Sequence, residues 1–512
     1  MTTSSEALEP GGPDTRARPP VTVVVPVYGD LPSLLECIAS LRANLDLTRH
    51  RVLLVNDCGP DADEIERAVL QEIGDVEGFR YERNAENLGF VGNCNRAVTE
   101  LDTSDNDVLL LNSDTVTTPG FLEEMLDVLH ASDDHGAVCA RSNNATIASL
   151  PFRLTHGDAP RSVERTREVF HALAPHLPRW YVSPVAMGFC FLTRRTLIRQ
   201  HGLFDEVFAP GYGEENDYCL RINAAGKSSL IANRALVLHA GSKSFVGARR
   251  NTLRAQHQKK LEARYPFYGA ATGSFLRWDV HPADRFADVL VPDTRATRVA
   301  VDLRGADATT AVTVAEALVG FGARDQPVEL EFVVDADLED AVTALDGVTT
   351  VLTAPQDDDI VAVGVFVAGS LDADRFVSAS RRYASWIRID PPGPGAFRWA
   401  TTATTPSRRT VSETADELAD GAVALSPGGD GLGARLRETV RQLEERELTT
   451  RIASLEARTR IALTADAVST RTATDDAREL ASAREQLGLI RTSRSYRIGD
   501  ALVRVGKKVL RR

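Results

Sequence analysis

Short apolar runs recur through the first 120 residues, separated by polar stretches with helical spacing. Val21–Val27 reads VTVVVPV, β-branched on both sides of the pleat, which predicts a strand covered on both faces. Leu34–Leu41 has helical spacing, Val52–Val55 (VLLV) predicts a second buried strand, and Phe79–Arg83 a weaker third. Asn93–Leu101 reads as helix and Val108–Leu111 (VLLL) as another buried strand. Strand and helix alternating at short intervals predict an α/β domain with a mostly parallel sheet. Ligands of such sheets collect at the carboxyl ends of the strands, so the polar residues after Val27, Val55 and Leu111 are the first candidates for chemistry. This domain is expected over 20–290, after a leader, 1–19, rich in Ser, Pro, Gly and Thr.

Further along, Arg298–Leu303, Val328–Val334, Thr349–Thr353, Val361–Val367 and Trp386–Ile389 alternate with helical stretches at Val312–Phe321 and Asp372–Tyr383. They predict a second, smaller α/β (Rossmann-like) domain over 296–430, of unknown role. Its strand ends carry no glycine-rich phosphate loop and no cluster of carboxylates or histidines. Residues 432–489 are rich in Glu, Arg and Ala and lack proline. Leu436, Val440, Leu443, Leu448, Ile452 and Leu455 follow a heptad with one slip. Two readings stay open there: an amphipathic helix packed on its own domain, or a coiled coil joining two copies of the chain. The tail, 490–512, sets Ile490, Ile498, Leu502, Val505 and Val509 along one side of a helix among basic residues. That is the pattern of a segment lying on an anionic membrane surface.

Composition narrows the class. The chain has 512 residues and a net charge of −13, with 43% hydrophobic and 26% charged residues, which is ordinary globular composition. Eight Lys/Arg against one Asp fall within 491–512, leaving about −20 for the remainder, so a nucleic-acid partner along the body is excluded. No apolar run approaches the ~18 residues needed to cross a bilayer, and the N-terminus shows no secretory signal. The six cysteines form no CxxC pair, which argues against a disulfide scaffold or zinc site and fits a reducing cytosol. The expected location is cytoplasmic, peripheral on the inner face of the plasma membrane through the basic tail.

Four clusters carry candidate chemistry. Asn56 and Asp57 follow the VLLV strand, where a carboxylate can accept hydrogen bonds from a base or ribose hydroxyl; Asn-Asp-Cys-Gly-Pro is equally a good turn. Asn87-Leu88-Gly89-Phe90 leads through Gly92 and Asn93 to Arg96, glycines and a helix start suited to phosphate. Asn112-Ser113-Asp114-Thr115 follows the VLLL strand and can bring Asp114 to a divalent cation, Mg²⁺ or Mn²⁺, bridging a diphosphate. The bland alternative is an Asx-capped turn into the next helix. The fourth cluster places Glu214, Glu215 and Asp217 within four residues after Gly211-Tyr212-Gly213. Such repulsion is costly unless something uses or neutralises it. His239 follows the apolar run Ala235–Leu238 and gains meaning only from this company.

The ordered set VVVPVYGD, VNDCGPD, NLGFVGNCN, LLLNSDT, GLFDEVFAPGYGEENDYCLR and HAGSKSF resembles the inverting family 2 glycosyltransferases, most of all their bacterial rhamnosyltransferase-like branch. The likeness covers about 20–265. It implies a GT-A fold, a divalent metal, and transfer of a sugar from a nucleotide-sugar donor (a dTDP- or UDP-sugar) to a hydroxyl of a glycan or lipid-linked glycan acceptor in cell-surface polysaccharide synthesis. By that resemblance Pro26, Val27, Tyr28 and Asp57 line a nucleoside pocket with Asn56 close by. Asn87, Gly92 and Arg96 lie near ribose and phosphates. The family's Asp-x-Asp falls on Asn112-Ser113-Asp114, its first acid replaced by Asn, so Asp114 and His239 become the metal ligands. The family's general base falls on Glu215, with Asp217 as rival and Glu214 in support. The acceptor is expected at the segment from Ser142 to Trp180. A nucleotidyltransferase would need a glycine-rich basic loop that Val27–Asp30 does not offer. An inactive scaffold is opposed by the intact acids and His239.

Overall fold

The computed structural model describes residues 18–150, 162–240, 248–276, 280–291, 297–319, 328–355, 360–367, 382–389, 398–399 and 407–408. The expected leader up to residue 17, the heptad segment 432–489 and the basic tail lie outside the described residues, as does most of the helix expected at Asp372–Tyr383. The described residues divide into two compact units, one within 18–280 apart from 171–177, the other comprising 171–177 and the residues from His281 onward.

The first unit runs β1 (Val21–Val27), α1 (Leu31–Asn44), β2 (Arg51–Asn56), α2 (Ala62–Ile73), β3 (Phe79–Arg83), α3 (Gly89–Arg96), β4 (Asp107–Leu111), β5 (Thr115–Thr117), α4 (Phe121–His130) and β6 (His135–Arg141). It continues with α5 (Val163–Leu173), β7 (Trp180–Ser183), β8 (Cys190–Thr193), α6 (Arg195–His201), α7 (Glu214–Ala224), β9 (Ser228–His239), α8 (Ala248–Arg264) and α9 (Tyr268–Ser274). The sheet order is β3-β2-β1-β4-β8-β6-β9-β5, with β7 also on β9. It is parallel from β3 to β4 and mixed beyond, because β8 enters antiparallel to both β4 and β6.

The doubly covered strands form where composition demanded them. Every valine and leucine of β1 and β4 is buried, each contributing roughly 1.5–3 kcal/mol. Pro26 is tolerated inside β1 because pairing with β4 ends at Val24, so its missing N–H faces no partner there. α1 starts on Asp30, whose carboxylate accepts from the Ser33 hydroxyl at 3.0 Å, with a proline in the first turn. Ala62, Ile65, Val69 and Ile73 form the buried stripe of α2.

β9 is longer than its apolar run suggested. It pairs parallel with β6 over Ser228–Ala232, breaks register near Asn233 and Arg234, then pairs antiparallel with β5. Asn233 is wholly buried at the break and ties it down, donating to the Pro178 carbonyl at 2.9 Å and accepting from Arg141 at 2.9 Å.

The second unit contains α10 (Pro282–Arg285), α11 (Ala287–Leu290), β10 (Thr297–Asp302), α12 (Ala308–Val319), β11 (Val328–Val333), α13 (Glu339–Thr343), β12 (Val351–Leu352), β13 (Val361–Val367) and β14 (Tyr383–Ile389), with a short pair, β15 (Arg398–Trp399) and β16 (Ser407–Arg408). Its five-stranded sheet is parallel throughout, in the order β12-β11-β10-β13-β14. Among the described residues no helix is long and apolar enough to cross a membrane.

Candidate active site

The ends of β1 and β2 meet closely. The Asp57 amide donates to the Val27 carbonyl at 2.8 Å, and a Cβ at Gly59 would fall 1.8 Å from the Tyr28 carbonyl oxygen, so only glycine lets the two loops touch. Tyr28 is exposed at this lip and Pro26 is half-buried. Val27, between them and the core, is wholly buried. Asn56 is likewise buried and committed. It donates to the Ala62 carbonyl and to the Tyr81 hydroxyl and accepts from the Cys58 amide, holding the turn rather than facing a ligand.

Asp57 is the hub of a closed polar network. One carboxylate oxygen accepts from Asn84 and from the Leu88 amide, both at 2.8 Å. Asn84 also donates to Asn93 at 2.9 Å and accepts from Arg96 at 2.5 Å, while Asn93 donates to the Val55 carbonyl. Burial pushes the Asp57 carboxyl up from its ordinary value, and the Leu88 amide and Asn84 pull it back. Arg96 thus points toward Asp57 through Asn84. Asn87 is exposed, and its side chain caps the start of α3 by accepting from the Gly89 amide. Gly92 lies inside α3, one turn beyond Leu88.

Asp114 and His239 are brought together by sheet register. β5 begins at Thr115, which pairs with His239 on β9, and the Ala240 amide donates to the Asp114 carbonyl at 3.0 Å. Asp114 Oδ1 lies 3.3 Å from His239 Nε2. Nδ1 of His239 lies 2.8 Å from the Asn144 carbonyl, which assigns the ring proton to that nitrogen and leaves a lone pair on Nε2. The ring stacks on Phe189, centroids 5.2 Å apart. Burial works to lower the His239 pKa, but the Asp114 carboxylate overrides it and the net shift is upward. Asp114 Oδ2 and His239 Nε2 are both buried, and beyond the 3.3 Å approach of the two side chains to each other they meet no hydrogen-bond partner among the described residues. Buried polar atoms are rarely left so. An oxygen and an imidazole nitrogen sharing one focus are a donor set that fits a divalent cation. No group of three or more His, Cys, Asp or Glu suited to a metal occurs among the described residues. Asn112 and Ser113, half-buried, precede Asp114; the Asn112 amide donates to the Phe189 carbonyl at 2.9 Å.

α7 opens on Tyr212 and Gly213, both at positive φ, and presents its acids in the first turn. Asp217, expected as the alternative base, is wholly buried with both oxygens engaged: Arg221 at 2.8 Å, Arg264 at 2.5 Å and the Tyr265 hydroxyl at 3.1 Å. Glu214 is 6% exposed, and its Oε2 lacks a hydrogen-bond partner among the described residues. Burial, reinforced by the charge of Glu215, holds its carboxyl well above the usual range. Glu215 is raised by burial too, with backbone amides of the helix start and Arg254 drawing it down.

Gly188 connects the acid to the metal pair. A Cβ there would stand 3.2 Å from Glu215 Cγ and 3.3 Å from Cδ, so the carboxylate rests directly on this glycine. The next residue, Phe189, carries the His239 ring. Consecutive Cα atoms are about 3.8 Å apart, so Glu215 and the Asp114–His239 pair flank a single turn. Gly188 and Phe189 were invisible in the sequence, a lone glycine and an aromatic with no periodicity around them. α8 was missed as well. His257 faces the Gly211 and Tyr212 carbonyls, both at 2.9 Å, and Leu261 packs on Gly213, fastening the loop that presents the acids.

Residues 22–202 match the sequence model of Glycosyl transferase family 2, about a third of the chain and ending before Glu214 and His239. No curated protein matches the sequence. Among solved structures, the chain is similar to the mannosyltransferase PcManGT from Pyrobaculum calidifontis in complex with GDP-Man and Mn²⁺, with 19% identity, 55% of this chain and 75% of that one covered, and a TM-score of 0.38. It is also similar to GalNAc-T7 with UDP, GalNAc and Mn²⁺, with 12% identity, a TM-score of 0.37, and 49% of this chain aligned to about half (51%) of that one.

Proposed function

We propose that the first unit is a glycosyltransferase that moves a sugar from a nucleoside-diphosphate sugar to an acceptor hydroxyl with inversion. The observation that carries this reading is the juxtaposition, across the 188–189 turn, of the Asp114–His239 pair, whose Oδ2 meets no other donor among the described residues, and the half-buried Glu215 carboxylate. The match of 22–202 to Glycosyl transferase family 2 supports it.

Asp114 and His239 would hold Mg²⁺ or Mn²⁺, which supplies charge neutralisation to a departing diphosphate. Glu215 accepts the proton of the acceptor hydroxyl as that oxygen attacks the anomeric carbon, and its raised pKa gives it the basicity for the task. Burial and the charge of Glu215 push the neighbouring Glu214 carboxyl upward, toward its neutral form. Asp217 is a structural ion-pair partner, leaving Glu215 as the base. Asp57 and its network, with Tyr28 and Pro26, form the wall for the nucleoside, and Asn112 and Ser113 lie beside the diphosphate. The donor is a dTDP- or UDP-sugar, rhamnose among the candidates, and the acceptor a surface glycan or its lipid-linked precursor. Residues 432–489 and the tail serve assembly and membrane contact in this reading, and the parallel sheet of the second unit is a Rossmann-like domain.

A thermal-shift screen of UDP- and dTDP-sugars with Mn²⁺ tests the reading. The true donor raises the melting temperature in the presence of metal, and NMR of the product shows the opposite anomeric configuration. Failure of every nucleotide sugar to stabilise the protein, or retention of configuration, refutes it.

A further inference from the structure

The basic character of α8 has no part in the reading above. The helix carries Arg249, Arg250, Arg254, Lys259, Lys260 and Arg264 against one acid, Glu262, in a chain of net charge −13. Two of these cations are committed: Lys260 donates to the Val207 carbonyl at 2.7 Å, and Arg264 bridges Asp205 and Asp217. Arg254 is different. One turn before His257, it lies with its guanidinium carbon 5.8 Å from the centroid of the Tyr212 ring. It is exposed, and it has no hydrogen bond or ion pair among the described residues.

Its location is informative. Tyr212 is two residues before Glu214, and Arg254 is the cation whose field reaches the Glu215 carboxyl. Through Tyr212, Arg254 stands beside the first turn of α7, which carries Glu215 and where an acceptor must come for its hydroxyl to reach the base. A guanidinium resting on an aromatic ring is held in orientation, loses little freedom on binding, and offers a planar fork matched to phosphate oxygens.

We propose that Arg254, seated on Tyr212, is an anchor for a phosphate group on the acceptor, holding a phosphate-linked acceptor so that its hydroxyl meets Glu215. The inference rests on Glu215 as the acceptor-side base in the reading above. Two sources present the required group, a polyprenyl-phosphate-linked glycan and a soluble sugar phosphate.

The full-length protein, with UDP or dTDP and Mn²⁺ at saturation to fill the donor side, is titrated calorimetrically with farnesyl phosphate and with glucose 1-phosphate. The wild type is expected to bind at least one of them. Arg254→Gln should weaken that binding about tenfold or more, as expected for losing a charge-assisted hydrogen bond, and Arg254→Lys should retain part of it. Tighter binding of farnesyl phosphate supports the lipid-linked source, and of glucose 1-phosphate the soluble one. The proposal is overturned if neither phosphate binds the wild type, if Arg254→Gln binds both as the wild type does, or if that variant instead loses its response to nucleotide and Mn²⁺. If neither UDP nor dTDP stabilises the wild type, it is the glycosyltransferase reading that fails. An unchanged melting temperature for Arg254→Gln without ligand shows that the exposed side chain was removed without harm to the fold.

Discussion

Asp217 and Glu214 lie three residues apart on α7 and are both almost wholly buried, yet their surroundings are opposite. Asp217 receives two arginines and a tyrosine hydroxyl. Glu214 keeps an oxygen without a hydrogen-bond partner among the described residues, and its carboxyl is held well above the ordinary range. The same contrast separates Asp57, closed into a network with Asn84, Asn93 and Arg96, from Asp114, whose Oδ2 meets no hydrogen-bond donor among the described residues. A buried carboxylate with its hydrogen bonds complete is architecture. One left incomplete either gives up its charge, as the raised Glu214 carboxyl tends to, or stands ready for a partner from outside the chain.

The sharpest way to break the contrast is at Glu215. Glu215→Gln should leave nucleotide-induced stabilisation intact and lower turnover by about 10²–10⁴. Turnover close to wild type would return the role of base to Asp217. At Asp217 the expected damage is structural. Asp217→Ala strands Arg221 and Arg264, and breaking such a buried pair costs about 3–5 kcal/mol; because Arg264 reaches solvent, the lower end applies. Denaturant unfolding measures this, and a loss of turnover without a loss of stability would contradict it.

Asp114→Ala is expected to remove the Mn²⁺-dependent part of nucleotide stabilisation, which at a ligand concentration of 100 Kd amounts to about 2.7 kcal/mol. A metal titration that is the same in variant and wild type would take Asp114 out of the site. The smallest effect concerns Glu214. Below its ordinary value of 4.5 the folded and unfolded chains both hold the proton, and the group contributes no pH dependence. Above that value the unfolded chain releases its proton while burial opposes release in the folded one, so stability falls as pH rises toward the folded value. Glu214→Gln should therefore raise the melting temperature at pH 8, by about 2–4 °C for each kcal/mol recovered, and leave it unchanged at pH 4. A gain of equal size at both pH values would show that the carboxyl is not the cause.

Sequence legibility followed the range of the interactions. β1 and β4 were legible because a strand covered on both faces declares itself in its own residues, VTVVVPV and DVLLL. β5 was not: Thr-Val-Thr is three residues long and becomes a strand only because β9 supplies its partner more than a hundred residues later. The crowding of Glu214, Glu215 and Asp217 was plain, whereas their division into paired and unpaired acids was not. That division depends on Arg264 and Tyr265, contributed from beyond the recognisable motifs. Asn56 was expected close to a nucleoside because it sits at a strand end beside Asp57. Its amide instead answers Tyr81 and Ala62, a local demand for hydrogen bonds that no spacing rule reveals.

The β5–β9 pairing has one more consequence. Because Asp114 is fixed beside Thr115 and Thr115 is laddered to His239, the gap between the two donor atoms is a backbone ruler rather than a matter of side-chain adjustment. Slipping that ladder by a single position would turn the imidazole to the opposite face of the sheet. In the proposed reading, tolerance for ions of different radius would thus be written into strand register rather than into side-chain choice.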